Sequence, residues 1–148
     1  MTRVDFYLLD RATEGGRDTA VCKLTHKAFR LGHRVYILTD DHDGAQRLDR
    51  LLWIFAASSF IPHGLGARPA DAGLPVLIGH EAPPPAHEDV LITLAPRVPE
   101  YFSRFQRVAE VVHGGDAEKT LARERFRFYR DRGYALQTHN LALEFSGA

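Results

Sequence analysis

Short apolar runs alternate with amphipathic stretches along the first third of the chain, and this alternation most restricts its fold. Val4–Leu9 is short, apolar and β-rich, and ends at Asp10. Asp18–Leu31 follows with helical spacing, its Ala20, Val21, Leu24, Ala28 and Leu31 falling on one face, and Gly32 is a natural stop. Val35–Leu38 is a second apolar run, and Asp43–Trp53 is again helical, with Leu48, Leu51 and Leu52 apolar. Strand, helix, strand and helix joined by short links predict parallel strands with crossover helices.

The pattern breaks between Phe55 and Ala72, where Ser, Pro and Gly recur, and this segment reads as a long loop joining two halves. Beyond it, Val76–Ile78 reads as a short strand and Pro83-Pro84-Pro85 as an extended, exposed connector. Val90–Leu94 and Ala109–Val112 read as strands, and Glu100–Phe105 as helical. Asp116–Arg132 is the last helix, with Asp116 as its N-cap and Gly133 as its stop; Ala135–Asn140 is a terminal strand. The expectation is one α/β domain over residues 1–148: a three-layer, Rossmann-like arrangement with a mostly parallel sheet flanked by helices. A chain of 148 residues is long enough to bury about two thirds of its unfolded surface in one core.

Composition narrows the function classes. Lys and Arg number 19 and Asp and Glu number 19, which argues against gripping nucleic acid through bulk positive charge. A single cysteine, Cys22, excludes an internal disulfide and any multi-cysteine metal site, and its place in a helical apolar stretch reads as a buried small hydrophobe. No run approaches ~18 apolar residues and the first ten lack a signal-peptide design, so a cytoplasmic protein without membrane contact is expected.

Catalytic signatures are sparse. Neither G-x-G-x-x-G nor G-x-x-x-x-G-K-[ST] occurs; Gly15-Gly16 reads as a plain flexible loop. Ser58-Ser59 has no G-x-S-x-G frame, and the eight histidines form no H-x-x-x-H pair. His87-Glu88-Asp89 precedes a strand and reads as a solvated turn. Asp40-Asp41-His42-Asp43 is the most enzyme-like feature, because it follows a strand where α/β folds place ligands and its carboxylates suit Mg²⁺. Its simpler reading is that one Asp caps the following helix and the others favour its positive end. No catalytic residue, metal or cofactor is therefore expected; a metal-dependent enzyme using Asp40–Asp43 is the alternative.

Two other features concern surfaces. Trp53 closes a helix, and Phe60-Ile61-Pro62-His63 places large apolar side chains in an irregular segment. Such residues are either core plugs or a partner-binding patch, and composition alone tilts toward core. On the last helix, Lys119, Arg123, Arg127 and Arg130 stand at i, i+4, i+8 and i+11, one continuous face beside Phe126. A cationic row beside an aromatic suits an acidic peptide with an apolar anchor, since guanidinium groups bind carboxylates bidentately. A solvated basic face laced by Glu124 and Asp131 is the plain alternative. A single-stranded nucleic-acid track using Phe126 and Tyr129 is a third reading, weakened by the helix's slight net positive charge.

Several pieces, in order, resemble the chi subunit family of bacterial DNA polymerase III. They are Phe6-Tyr7-Leu8-Leu9-Asp10, Arg47-Leu48-Asp49…Leu52-Trp53, Ser59-Phe60-Ile61-Pro62-His63, Asp89-Val90-Leu91-Ile92-Thr93-Leu94 and Leu121-Ala122-Arg123-Glu124-Arg125-Phe126-Arg127-Phe128-Tyr129-Arg130. The resemblance implies a non-catalytic clamp-loader adaptor that binds the acidic C-terminal tail of single-stranded-DNA-binding protein, ending in Ile-Pro-Phe, and meets DNA only indirectly. Carried over, the tail site takes in Val112, Lys119, Arg123, Phe126, Arg127 and Arg130. The resemblance also implies binding to the psi subunit, or to a helicase, through Trp53 and Phe60 with Ile61, Pro62 and His63 beside them. The chain departs from the family pattern in having Phe126 where Tyr is frequent, Arg127 where Lys is frequent, and small residues in Val112-His113-Gly114-Gly115.

Overall fold

The computed structural model describes residues 2–9, 16–55, 60–66 and 68–140. Asp10 and the first-loop residues through Gly15 lie outside these, as do Ser58 and Ser59.

Seven strands form one sheet: β1 (Arg3–Leu8), β2 (Val35–Leu38), β3 (His63–Leu65), β4 (Val76–Gly79), β5 (Val90–Thr93), β6 (Arg107–Val112) and β7 (Ala135–Asn140). Their order across the sheet is β3-β4-β2-β5-β6-β1-β7, and every neighbouring pair is parallel. The strands β2, β4 and β5 are buried at every residue, which explains their unbroken apolar sequence: a parallel strand covered on both faces has no solvent side to alternate toward. The edge strand β7 is partly exposed along its length and correspondingly polar.

Helices α1 (Gly16–Arg30) and α2 (His42–Ile54) cover one face, and α3 (Asp116–Asp131) the other. The first core joins Val21, Cys22, Leu48 and Leu52 to Val35, Ile37, Val76, Ile78, Ile92 and Val111. The second joins Ala122 and Tyr129 of α3 to Val4, Phe6, Leu77, Leu91 and Val108, with Phe102 and Phe105 filling the space beside the helix. Each fully buried side chain of this size stabilises the fold by about 1.5–3 kcal/mol before chain entropy is counted. Both helix stops read from glycine hold: Gly32 (φ 85°) and Gly133 (φ 81°) adopt the left-handed conformation that ends α1 and α3. Among the described residues no helix is long and apolar enough to cross a membrane.

Some expectations change. Within Phe55–Ala72 the chain forms β3 and a 3-10 turn, Pro69–Asp71, whose Asp71 carboxylate accepts from the Leu65 amide at 3.2 Å. Residues 100–105 hold only a 3-10 turn, Phe102–Arg104. Leu31 lies beyond the end of α1 and is exposed. The N-cap of α3 is Gly115, not Asp116; its amide donates to Glu118 Oε2 at 3.1 Å. Of the proline run, Pro83 is buried. His87 is buried rather than solvated, with Nε2 2.9 Å from the Leu74 carbonyl. Asp89 accepts from the Arg34 amide at 2.7 Å, so this turn locks the entry to β5.

Candidate functional site

The residues after β2 cap the helix that follows. Asp41 is the N-cap of α2, its Oδ1 accepting from the Gly44 amide at 2.8 Å. Asp40 and Asp41 share a hollow with the guanidinium-bearing Arg17 and Arg47, and Arg47 pairs with Asp18 at 2.8 Å. Among the described residues no three His, Cys, Asp or Glu side chains are grouped to hold a metal. Cys22 is buried, and burial pushes its thiol up to about 12, far from the thiolate range.

A wider cavity lies on the other side of the sheet, beside α3. It has a volume of about 360 Å³ and is walled by Lys119, Ala122, Arg123 and Phe126 of α3 and by Val112 at the end of β6. Phe6 and Leu8 of β1, Leu9 just after it, Thr138 and Asn140 of β7, and Gly114 also line it. It therefore opens at the carboxyl ends of three neighbouring strands, the usual place for a ligand in a parallel sheet. Its floor is apolar, and Phe126 packs edge-to-face on Phe6 with centroids 5.4 Å apart. Two cations, Lys119 and Arg123, stand in the wall, and among the described residues no carboxylate does. Neither side chain makes an ion pair among the described residues, and Glu118 is turned back onto Gly115.

A buried polar cluster holds α3 in this position. Glu110 of β6 is fully buried; its Oε1 accepts from Arg125 Nε at 2.9 Å and its Oε2 from the Tyr129 hydroxyl at 2.8 Å. Arg125 Nη1 also donates to the Pro96 carbonyl at 3.0 Å. Burial pushes the Glu110 carboxyl upward more than Arg125 and Tyr129 draw it back. Arg125 is thus withdrawn from the helix's cationic surface.

Of the six residues expected at the tail site, Val112, Lys119, Arg123 and Phe126 meet at the cavity. Arg127 and Arg130 are exposed on α3 but outside its wall, and Arg130 leans on Asp131 at 3.1 Å. The β1 and β7 residues were missed, because only the strand order brings them beside α3. Beyond α3 and β6, the cavity spans β1 and β7.

The second surface separates into an outer and an inner part. Trp53 and Phe60 are 52% and 67% exposed and touch, with centroids 5.3 Å apart, so these two are surface and not core plugs. Ile54, next to Trp53 in α2, is 74% exposed. Ile61 and His63, expected in the contact surface, are instead buried beneath it at 3% and 5%, and Pro62 is half-buried. The exposure of Trp53 and Ile54 was readable: neither falls on the Ala45-Leu48-Leu52 stripe that α2 buries.

Comparison with known proteins agrees with the resemblance in the sequence. Residues 1–137 match the family described as DNA polymerase III chi subunit, HolC. The chain is 43% identical over 141 residues to the DNA polymerase III subunit chi of Pseudomonas aeruginosa, covering 95% of this chain and 98% of that one. It is 35% identical over 143 residues to the Escherichia coli subunit, covering 93% and 97%, and 28% identical over 137 residues to that of Haemophilus influenzae, covering 92% and 95%. With a family match spanning nearly the whole chain, this protein belongs to the DNA polymerase III chi subunit family.

Proposed function

We propose that this chain is a non-catalytic adaptor of the replicative polymerase, holding the acidic C-terminal tail of single-stranded-DNA-binding protein at the α3 cavity. The observation that carries the reading is an apolar pocket whose wall, among the described residues, holds two cations without an ion pair and no acid. A terminal Phe fills the apolar floor, its carboxylate meets Arg123, and Lys119 meets the preceding acids. Arg127 and Arg130, outside the pocket, act on the tail only at longer range. Burying the Phe contributes about 1.5–3 kcal/mol, and each well-made charge-assisted hydrogen bond about 1.5–3. Association and ordering of a disordered tail cost ~4 kcal/mol or more. The balance points to roughly micromolar affinity, weakened by salt and raised by avidity when the tail-bearing protein is multimeric.

Calorimetric titration with an acidic peptide ending in Ile-Pro-Phe tests this. Saturable binding that is lost when the final Phe becomes Ala supports the reading; no binding at low salt sinks it.

In the same proposal, the Trp53–Phe60 patch with Ile54 takes the clamp-loader side, through the psi subunit. Exposed aromatic pairs are the residue types that dominate interface energetics. Phe60→Ala should leave stability within about 0.5 kcal/mol, since the side chain is exposed. It should weaken psi binding by ~2 kcal/mol, roughly 30-fold, and spare tail binding. Unchanged psi affinity in a pull-down or surface-binding assay would remove Phe60 from the interface.

A further inference from the structure

His63 sits directly beneath the apolar patch, its side chain 1% exposed. Both of its ring nitrogens face oxygens. Nδ1 lies 2.7 Å from the Ile61 carbonyl and Nε2 lies 2.9 Å from the Asp49 carbonyl. A neutral imidazole has one N–H donor and one lone pair. In either tautomer, that lone pair would confront a carbonyl lone pair within 3 Å in a buried site. The doubly protonated ring has two donors and satisfies both carbonyls. We infer that His63 is held as a buried imidazolium that staples the Phe60-bearing loop to α2 and thereby positions the Trp53–Phe60 surface.

The surroundings favour a cation. Asp49 Oδ1 lies 3.5 Å from Nε2, and the Trp53 ring lies 4.5 Å from the imidazole, centroid to centroid. A carboxylate and an indole both offset the desolvation of a buried positive charge. On the other elements packed against β3, Asp71 is bonded to the Leu65 amide, and β4, Val-Leu-Ile-Gly, has no titratable side chain. On α2, Arg47 is turned to Asp18, while Asp43 and Arg50 are exposed. No cation among these faces the ring.

The two hydrogen bonds join the halves of the patch. Ile61 follows Phe60 in the chain, and Asp49 stands one helical turn before Trp53. Loss of one ring proton removes one of the two ties and frees the loop to move against the helix. None of this depends on which partner the patch receives. His63 is a positioning residue: it touches no partner itself but sets the spacing of the two aromatics that do.

The test is ring-nitrogen NMR on the full chain at pH 7. Proton-bearing signals for both Nδ1 and Nε2 of His63 are expected; a neutral-tautomer pattern overturns the assignment. Trp53, the only tryptophan, supplies a second readout, because an imidazolium quenches a neighbouring indole. Its emission should rise with pH as His63 loses its proton, and the step should be absent in His63→Gln. Emission that stays flat while NMR records deprotonation overturns the link to Trp53. If His63→Gln does not fold, the two measurements on the unsubstituted chain still decide the question.

Discussion

Glu110→Ala is expected to cost about 3–5 kcal/mol of stability. The reason lies in what the deletion leaves behind. Arg125 is 8% exposed, and without Glu110 its guanidinium keeps, among the described residues, only the Pro96 carbonyl as a partner. The Tyr129 hydroxyl, fully buried, loses its acceptor as well. An unpaired buried cation and an unsatisfied hydroxyl each cost more than the intact cluster contributes, because the native pair already carries its own desolvation penalty. Urea denaturation should move the midpoint with little change in slope, and thermal melting should fall by about 10 °C. Glu110→Gln keeps an acceptor for Arg125 and a polar partner for Tyr129, so its loss should be smaller. Replacing Glu110 and Arg125 together by Leu and Met should recover much of the deficit, since no charge is then stranded. A loss under about 1 kcal/mol in Glu110→Ala would mean that the carboxyl carries little charge in the folded protein.

The same cluster illustrates what the sequence makes legible. The fully buried strands β2, β4 and β5 announce themselves as continuous apolar runs, and β7 falls at the residues expected. Ala20, Val21 and Ala28 on α1, Leu48 and Leu52 on α2, the glycine stops and a capping aspartate before α2 follow from local rules, whereas Leu31 falls beyond α1. What depends on the neighbouring chain does not. The strand β3 is three residues, His-Gly-Leu, supported by its pairing with β4 and by Asp49 and Asp71 from neighbouring elements. Helical periodicity on α3 picks out Lys119, Arg123, Arg127 and Arg130, all exposed, but says nothing of Arg125, which turns inward to a buried glutamate fifteen positions earlier. His87 reads as a solvated turn from its charged neighbours, yet the Leu74 carbonyl draws it inward. The candidate cavity divides the same way. Its α3 wall was readable from spacing, whereas Phe6, Leu8, Thr138 and Asn140 join it only because β1 and β7 lie next to β6 in the sheet order.

Arg123→Glu should weaken binding of the acidic Ile-Pro-Phe peptide by about 2 kcal/mol or more, at least roughly 30-fold, while leaving the melting temperature within a few degrees. Arg123 stands in the cavity wall and is itself exposed, so its replacement strands no buried partner. The substitution removes the donor proposed for the peptide's terminal carboxylate and puts a like charge in its place, which adds repulsion to the lost attraction. Two companions separate this role from general electrostatics. Arg127→Glu makes the same change in net charge on the same helix but outside the cavity, and should cost less, with most of its effect removed by salt. Phe126→Ala keeps the charge but opens the apolar floor where Phe126 rests on Phe6, and should weaken binding of the peptide ending in Phe more than that of one ending in Ala. Equal losses from Arg123→Glu and Arg127→Glu would show that the helix attracts acidic peptides only as a diffuse field, and the cavity would lose its claim to the tail. A much larger loss at Arg123 that persists at high salt would instead mark a short-range contact, since screening acts on exposed, separated charges far more than on a desolvated pair.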